Sequence, residues 1–284
     1  MKRFKFNAPL LIIITLVFGF TLKAQQFKPN TEVGLILGTS YYLGDLNTTH
    51  FNQSMPAAGI VIRKNIDKRF LYKAEVMYIN LKSDERKSTD TIALDRGLHF
   101  KSPVYELSAQ LEFNFLPYQT GNPLHTWTPF IYTGISLFSF NPQAENIATN
   151  GEWIDLQELG TEGQGTTTEF DGEIRSKYSL IQFAIPIGGG FKIAVNENFN
   201  IILEYGARKT FTDYIDDVST TYPGPNINGA WPVEMSQLSQ EMSDPSGTHV
   251  KDDPRGNPEK KDWYSFAGIT LSFKLNNDTK GCYP

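Results

Sequence analysis

The segment at residues 208–222, RKTFTDYIDDVSTTY, holds the densest group of side chains that could do chemistry. Asp213, Asp216 and Asp217 lie within five residues of one another and follow two cations. In a soluble enzyme, such carboxylates could bind a metal ion or act in general acid/base catalysis. A calcium loop needs regularly spaced oxygen ligands and a glycine turn, which DYIDDVSTT lacks. The three aspartates are therefore weak metal candidates, and we favour a hydrogen-bonded loop start in which they pair with the two preceding cations.

The histidines do not extend this segment into a catalytic site. Barrel enzymes that hydrolyse lipid use a serine, a histidine and an acid that orients the imidazole. Here all four histidines fall between predicted strands, in no fixed relation to a strand-borne serine: His50, His99, His125 and His249. The sequence also contains neither GxSxG nor HExxH. It therefore predicts no catalytic residue, no cofactor and no small-molecule substrate.

Cys282 is the single cysteine of the chain, so no internal disulfide can form. It lies seven residues beyond the end of the last predicted strand, in NNDTKGCYP. In an oxidising compartment such as the periplasm, this thiol either stays free or forms an intermolecular disulfide with a partner chain. Non-reducing electrophoresis of native membranes distinguishes these alternatives.

Residues 1–24 have the composition of a secretory signal peptide: a basic start at residues 2–5, an apolar run at residues 8–22 and a cleavage position after Ala24. The alternative is an uncleaved anchor, but the run is shorter than the roughly 20 residues of a spanning helix. Cleavage leaves one domain, residues 25–284. It also removes four cations and no acids, so the formal net charge of −5 becomes more negative. An acidic chain argues against a nucleic-acid partner.

After the leader, hydrophobic residues recur with a period of two, which is typical of strands with one apolar face. In VYELSAQLEFNF, for example, Tyr105, Leu107 and Leu111 share a face opposite Glu106 and Glu112. Eight strands are predicted, near residues 31–43, 56–66, 69–80, 104–115, 129–140, 177–193, 200–208 and 264–275. In the sixth, Pro186 and the glycines at residues 188–190 are expected to cause a bulge or bend.

The connections between these strands alternate in length. Short, turn-rich connections follow the second, fourth and sixth strands, whereas the others are longer: residues 44–55, 81–100, 141–176 and 210–261. This alternation predicts an all-β fold, an eight-stranded antiparallel up-and-down outer-membrane β-barrel with long extracellular loops. Both chain ends would then lie in the periplasm.

The polar strand faces are predicted to point inward, because an eight-stranded barrel is just wide enough for side chains to fill. Buried charges persist only when they are paired. The predicted interior charge network comprises Arg63, Lys73, Glu75, Glu106, Glu112, Glu204 and Arg208, with Lys274 as a further candidate.

Aromatic residues near the strand ends are predicted to face the membrane as interfacial girdles. They are Tyr41, Tyr72, Tyr78, Tyr105, Phe115, Trp127, Phe130, Phe138 and Trp263. A soluble lipocalin-like barrel is the alternative and would place its polar faces outside. Charges on one face of nearly every strand argue against an apolar ligand cavity, so we expect the barrel to be surrounded by outer-membrane lipid.

Six segments carry a resemblance to a known family: GLILGTSYYLGDLN (34–47), LEFNF (111–115), ELGTEGQGT (158–166), YSLIQFAIPIGGGFK (178–192), EYGARKTFTDYIDDVSTTY (204–222) and DWYSF (262–266). They resemble the PorG-like proteins, outer-membrane barrels of the type IX secretion system of the Bacteroidota. TEGQG and RKTFTDYIDDVSTTY are the most specific, because ordinary eight-stranded barrels do not share them.

The resemblance implies a non-enzymatic component of the secretion and gliding machinery. It also implies association with the periplasmic ring formed by the lipoprotein PorK and its companion PorN. Two alternatives remain open, namely a general structural or adhesive barrel that binds an extracellular partner through its loops, and a lipid-modifying barrel enzyme.

Overall fold

The alternation of apolar and polar residues produces eight long antiparallel strands that close into a barrel. The computed structural model describes residues 29–146, 151–170 and 172–275. The strands are β1 (Thr31–Leu43), β2 (Met55–Asn65), β3 (Phe70–Asp84), β4 (His99–Asn114), β5 (Trp127–Phe140), β6 (Gln143–Asn146), β7 (Glu152–Asp155), β8 (Glu169–Phe170), β9 (Glu173–Ile174), β10 (Ile181–Ala194), β11 (Phe199–Thr210) and β12 (Trp263–Leu275).

The barrel consists of β1–β5 and β10–β12. Its strands follow the order β3-β2-β1-β12-β11-β10-β5-β4, and the pairing of β3 with β4 closes the ring. The short strands β6–β9 lie in the connections, together with a 3-10 turn (Glu85–Lys87) and the helices α1 (Thr91–Arg96), α2 (Leu156–Leu159) and α3 (Gln237–Ser243). The predicted up-and-down antiparallel barrel is confirmed.

β3 and β4 are longer than the sequence predicts. They pair from Phe70 with Phe113 to Asp84 with His99, so residues 81–84 and 99–100 of the predicted connection belong to strands. The inward-facing Leu81 and Ser83 continue the period of two and are fully buried. These two strands therefore project beyond the long-loop end of the barrel and support the connections there.

The faces of the strands have the polarity of a membrane barrel. Apolar side chains such as Leu35, Ile60, Leu107 and Ile187 are exposed on the outside. On the same strands, the following charged residues are buried inside: Glu32, Arg63, Glu106 and Lys192. Apolar outside and polar inside is the arrangement of outer-membrane barrels, and the soluble alternative has the reverse. The fold is therefore an outer-membrane-type β-barrel.

The aromatic girdle prediction is correct for only part of its members. Tyr72, Tyr105 and Trp127 are more than half exposed on the outer face, and Tyr78 and Phe115 are also exposed. Trp263 is half-buried.

Two residues of that prediction lie on the opposite face, and a third lies on the predicted outer face but is covered by a loop. Phe130 and Phe138 lie on the inward face of β5 and are buried. Tyr41 is also buried, because His50 and Phe51 of the following loop pack against its ring.

β10 contains no bulge, because Ala184 to Ala194 pair with β11 in unbroken register. The predicted interruption occurs on the other side of the strand, where the pairing with β5 omits Ile185 and Pro186. The glycines instead make room inside the barrel for Tyr132, since a Cβ atom on Gly206 would lie 2.0 Å from the Tyr132 hydroxyl oxygen and one on Gly188 only 2.5 Å from it.

The signal peptide predicted for residues 1–24, and Cys282, lie outside the described residues. Within the described ranges, no helix is long and apolar enough to cross a bilayer.

Candidate functional site

All seven charged residues of the predicted interior network are buried inside the barrel. At its centre, the Glu204 carboxylate on β11 lies 3.1 Å from the Arg63 guanidinium on β2 and 3.2 Å from the Lys73 ammonium on β3. Lys73 also pairs with Glu75 at 2.7 Å. Because β3 and β11 lie on opposite sides of the ring, these ion pairs bridge the lumen.

A second group of ion pairs is centred on Arg208. Its guanidinium lies 3.2 Å from Glu106 and 3.9 Å from Glu75. The Tyr264 hydroxyl donates to the same Glu106 carboxylate at 2.6 Å. Arg208 therefore points into the lumen rather than towards the aspartates that follow it.

Sequence reasoning missed two members of the interior, Glu32 and Lys192. Lys192 pairs with Glu112, which also lies 3.6 Å from Arg63. Glu32 accepts hydrogen bonds from Thr120 and Asn65 near the short-turn end. Both alternate in step with the inward-facing residues of their strands, so the two-residue repeat of the strand was sufficient to assign them to the interior.

Lys274, the next-to-last residue of β12, is only half-buried. It therefore lies at the edge of the network that it was expected to join.

Two connections cover the long-loop end of the barrel. They are residues 141–180 and 211–262, and their described residues are called the cap below. Ile215 and Val218 of the cap are fully buried against an apolar layer that fills this end of the lumen. That layer includes Phe100, Phe138, Phe140, Tyr264 and Phe266. The mouth of the barrel is therefore closed by packed side chains.

Glu162 holds the two halves of the cap together. Its fully buried carboxylate accepts hydrogen bonds from the Ser219 amide at 2.8 Å and from the amide and hydroxyl of Thr220, the latter at 2.6 Å. Glu162 lies in TEGQG and its donors lie in DYIDDVSTT. The two most distinctive sequence segments of the chain are thus directly bound to each other.

Arg255 supplies the positive charge of this cluster. Its buried guanidinium lies 3.1 Å from Glu162 and 3.9 Å from the Asp217 carboxylate. It also donates to the backbone carbonyls of Asp217 and Ser243. One planar side chain therefore joins three separate segments of the cap.

The three aspartates of the opening segment are buried and point to three different partners. Asp213 accepts from the Ser219 hydroxyl at 2.7 Å, Asp216 from the Tyr42 hydroxyl at 2.5 Å, and Asp217 from the Tyr178 hydroxyl at 2.6 Å. Thr161 donates a further hydrogen bond to Asp217.

The expected pairing of these aspartates with Arg208 and Lys209 is wrong. Arg208 binds Glu106, and the Lys209 ammonium lies over the Trp263 ring at 5.9 Å. The cation that approaches the aspartates is Arg255. In the part of the chain that the structure describes, no group of three or more His, Cys, Asp or Glu side chains could hold a metal ion.

The four histidines lie far apart and in different settings. His50 contacts Tyr41, and the imidazole of His99 accepts from the Glu145 amide. His249 bonds Asp244 and stacks on Tyr222, while His125 lies in the turn between β4 and β5. The structure does not bring them together.

The family model described as "Domain of unknown function (DUF6089)" matches residues 8–155, slightly more than half of the chain. The chain belongs to this family. No curated protein matches it.

Among solved structures, this DUF6089 protein is similar to the N-terminal β-barrel domain of OprF from Pseudomonas aeruginosa (10% identity, TM-score 0.37, covering 87% of this chain and 100% of that one). Neisserial surface protein A is similar to the same degree, with 10% identity and a TM-score of 0.38, covering 87% of this chain and 97% of that one. The chain is also similar to Ail of Yersinia pestis, with 7% identity and a TM-score of 0.36, covering 88% of this chain and 100% of that one. The barrel of the DUF6089 protein is established by its own strand pairing.

Burial raises the pKa of both Asp213 and Asp217 in the DUF6089 protein to about 6. Hydrogen bonds from Ser219 to Asp213, and the charge of Arg255 beside Asp217, oppose the effect of burial without cancelling it. Both carboxyls therefore hold their protons to a higher pH in the folded cap than in an unfolded chain.

This difference predicts that the cap loses stability as the pH rises from about 4 to about 6. In that window the folded cap binds more protons than the unfolded segment, so each rise in pH favours opening. Above that window the contribution of these two carboxyls to the stability of the cap no longer changes. For the fully buried Asp217 the loss is roughly 3 kcal/mol. Hydrogen exchange at the Ser219 and Thr220 amides measures it. A cap that became more stable over this range would contradict the prediction.

Asp217→Ala is expected to destabilise the cap by about 2–4 kcal/mol, because it leaves the Tyr178 and Thr161 hydroxyls buried without an acceptor. Asp217 also has a positive φ of 65°, which alanine tolerates poorly and asparagine better, so Asp217→Asn is the matched control. Asp213→Ala removes one hydrogen bond, and its expected cost is smaller, about 1 kcal/mol. Limited proteolysis of the cap and heat resistance of the barrel measure both. Wild-type behaviour of both alanine variants would exclude a structural role for these aspartates.

The cap of the DUF6089 protein also contains a cavity of about 360 Å³. Apolar residues from several connections line it, among them Leu46, Leu98, Leu156, Val218 and Met242. Pockets of this size are large enough for a small ligand or an inserted side chain.

Proposed function

We propose that this protein is a non-catalytic outer-membrane component of the type IX secretion machinery, which anchors or scaffolds a periplasmic ring of the PorK/PorN type. The observation that carries the proposal is the convergence of the segments that resemble the PorG-like proteins. Hydrogen bonds join four of those six segments: Tyr42 bonds Asp216 and Asp262, and Glu162 accepts from Ser219, which lies in the same segment as Asp216. Because these segments are up to about two hundred residues apart in the chain, their direct hydrogen bonds to one another support a resemblance based on shared structure.

The filled lumen suits a rigid anchor. Ion pairs cross the barrel between opposite walls, and an apolar layer and the cap close the long-loop end. The apolar outer face supports insertion in the outer membrane. In the proposed orientation the long loops face outside, and the short turns and both chain ends face the periplasmic ring.

The test is affinity purification of the full-length protein from native membranes after mild cross-linking. Ring proteins of the PorK/PorN type should co-purify with it, and a second eight-stranded barrel from the same membrane serves as the matched control. Cys282→Ser shows whether a disulfide contributes, since the ring should then be recovered only with cross-linker. If no ring protein is recovered beyond the control, the proposal is wrong.

The cap cavity and an exposed apolar tip favour a second candidate, an adhesive barrel. Ile227 and Val233 lie in one cap loop and are almost completely exposed. Exposed apolar side chains on a loop suit a protein partner outside the cell. Replacing both by serine should then abolish that binding and leave the recovery of ring proteins unchanged, whereas unaltered surface binding would exclude this role.

A further inference from the structure

Tyr42, Asp216 and Asp262 form a buried triad, called the latch below, between the cap and the barrel. The Tyr42 hydroxyl lies 2.5 Å from one Asp216 oxygen and 2.7 Å from one Asp262 oxygen. All three side chains are at most 1% exposed. Tyr42 lies near the end of β1, Asp262 directly precedes β12, and Asp216 belongs to the cap. The latch therefore connects one cap segment to two neighbouring barrel strands.

The other carboxylate oxygens of the latch already have partners. The Val218 amide donates to Asp216 at 3.0 Å, and the Ile215 amide donates to Asp262 at 2.8 Å. Each carboxyl thus directs one oxygen to a backbone amide and the other to Tyr42. The position of a proton on either acid is consequently fixed at the oxygen that faces the hydroxyl.

A single hydroxyl proton cannot satisfy both contacts. A tyrosine hydroxyl donates one hydrogen bond and can accept others, whereas an ionised carboxylate only accepts. If both acids were ionised, one of the two short contacts would join oxygen atoms with no hydrogen between them. A second proton, carried by one of the acids and donated to the Tyr42 oxygen, completes both hydrogen bonds.

The chain at Gly44 is built around this triad. A Cβ atom on Gly44 would lie 2.0 Å from the Tyr42 hydroxyl and 2.1 Å from the Asp262 carboxylate. The Gly44 amide is held by the Asn47 carbonyl at 2.9 Å. The glycine therefore lets the loop after β1 pass directly over the latch and exclude water from it.

The surroundings of the latch do not supply a compensating cation. The nearby arginines are committed elsewhere, Arg96 to Glu85 and Arg255 to Glu162, and among the described residues neither latch carboxyl forms a salt bridge. The charged and titratable groups that face the pair from the packed elements are Tyr42, Asp45, Arg96, His99, Asp213 and Arg255. Burial, followed by the charges of neighbouring acids, raises the pKa of both Asp216 and Asp262 well above the usual range.

We propose that Asp216 and Asp262 share one proton through Tyr42 at neutral pH, and that this proton latches the cap to the barrel. Release of the proton to solvent leaves two carboxylates facing one hydroxyl in a buried site, where their repulsion favours separation. Asp216 and Val218 also line the cap cavity, so opening of the latch would change the cavity wall. The proposal concerns the fold itself and holds whether or not the protein belongs to a secretion machine.

Infrared difference spectroscopy of the full-length protein in lipid vesicles tests the proton directly. At about pH 7.5 the carboxyls of Asp213 and Asp217 are ionised, so a buried carboxylic-acid C=O band that depends on Asp216 and on Asp262 belongs to the latch. The band should be present in the wild type and lost in both Asp216→Asn and Asp262→Asn. The exposed Asp95→Asn is the matched control and should keep it. A wild-type spectrum without the band, or a band that survives in both latch variants, overturns the proposal.

Hydrogen exchange at the Ile215 and Val218 amides tests the mechanical consequence. After correction for the intrinsic pH dependence of exchange, opening should increase about tenfold per pH unit from about pH 7 up to the apparent pKa of the pair, because the closed cap binds one proton more than the open cap, and it should level off above that pKa. Asp216→Asn mimics the protonated acid, so above about pH 7, where Asp213 and Asp217 are already ionised, its protection should be independent of pH. Asp262→Asn makes the same prediction if Asp216→Asn does not fold. Equal pH dependence in the wild type and in a folded asparagine variant would show that no shared proton holds the cap.

Discussion

Glu204→Gln is expected to lower the free energy of unfolding of the barrel by about 3–5 kcal/mol, the usual cost of breaking a buried ion pair. Glu204 is the shared anion of Arg63 and Lys73, which come from two strands across the lumen. Glutamine is nearly isosteric but neutral, so Arg63 is left with Glu112 at 3.6 Å, Lys73 is left with Glu75 at 2.7 Å, and the buried network loses one negative charge. Urea unfolding in lipid vesicles, followed by tryptophan fluorescence, measures the effect.

A half-exposed ion pair provides the matched control for Glu204. Glu145 lies 3.6 Å from Arg86, and both side chains are about one-third exposed. Glu145→Gln should therefore change stability by less than about 1 kcal/mol. The double variant Glu204→Gln with Lys73→Met should recover part of the loss, because it removes one of the two cations that share Glu204, while Glu75 keeps Arg208 at 3.9 Å. If Glu204→Gln behaved like Glu145→Gln, the interior network would not be what stabilises the barrel.

The interior network could be predicted because charged residues mark the face on which they lie. In β4, Glu106 and Glu112 identify the inward face, and the strand period assigns all their neighbours. β5 carries no charged residue on either face, so its sequence does not distinguish inside from outside. Phe130 and Phe138 were therefore assigned to the wrong side. In the structure Phe130 packs near the Lys192 ammonium and Phe138 against the Tyr264 ring.

The cap could not be predicted in the same way. Glu162 and Arg255 are 93 residues apart and lie in connections without a hydrophobic period. The local sequence around each residue therefore does not indicate that the two side chains pair. The same limit explains why Arg208 and Lys209, the nearest cations in the sequence, were the wrong partners for the aspartates. On β11 the strand period directs Arg208 to the lumen, in phase with Glu204.

Arg255→Met is expected to open the cap while the barrel remains folded. The substitution leaves Glu162 and Asp217 as buried acids without their cation, at a cost of about 3–5 kcal/mol. It also removes the donor to two backbone carbonyls. Limited proteolysis should then cleave within residues 211–262, and the heat-dependent gel mobility of the barrel should be unchanged.

Two further variants separate the charge of Arg255 from its shape. Arg255→Lys keeps the charge but loses the planar fork that reaches Glu162 and two carbonyls at once, so the cap should be only partly protected from protease. Adding Glu162→Gln to Arg255→Met removes one stranded acid, and the double variant should be destabilised by less than the sum of the single changes. Additive effects would mean that the two residues stabilise the cap independently, and full protection in Arg255→Met would mean that packing alone keeps it closed.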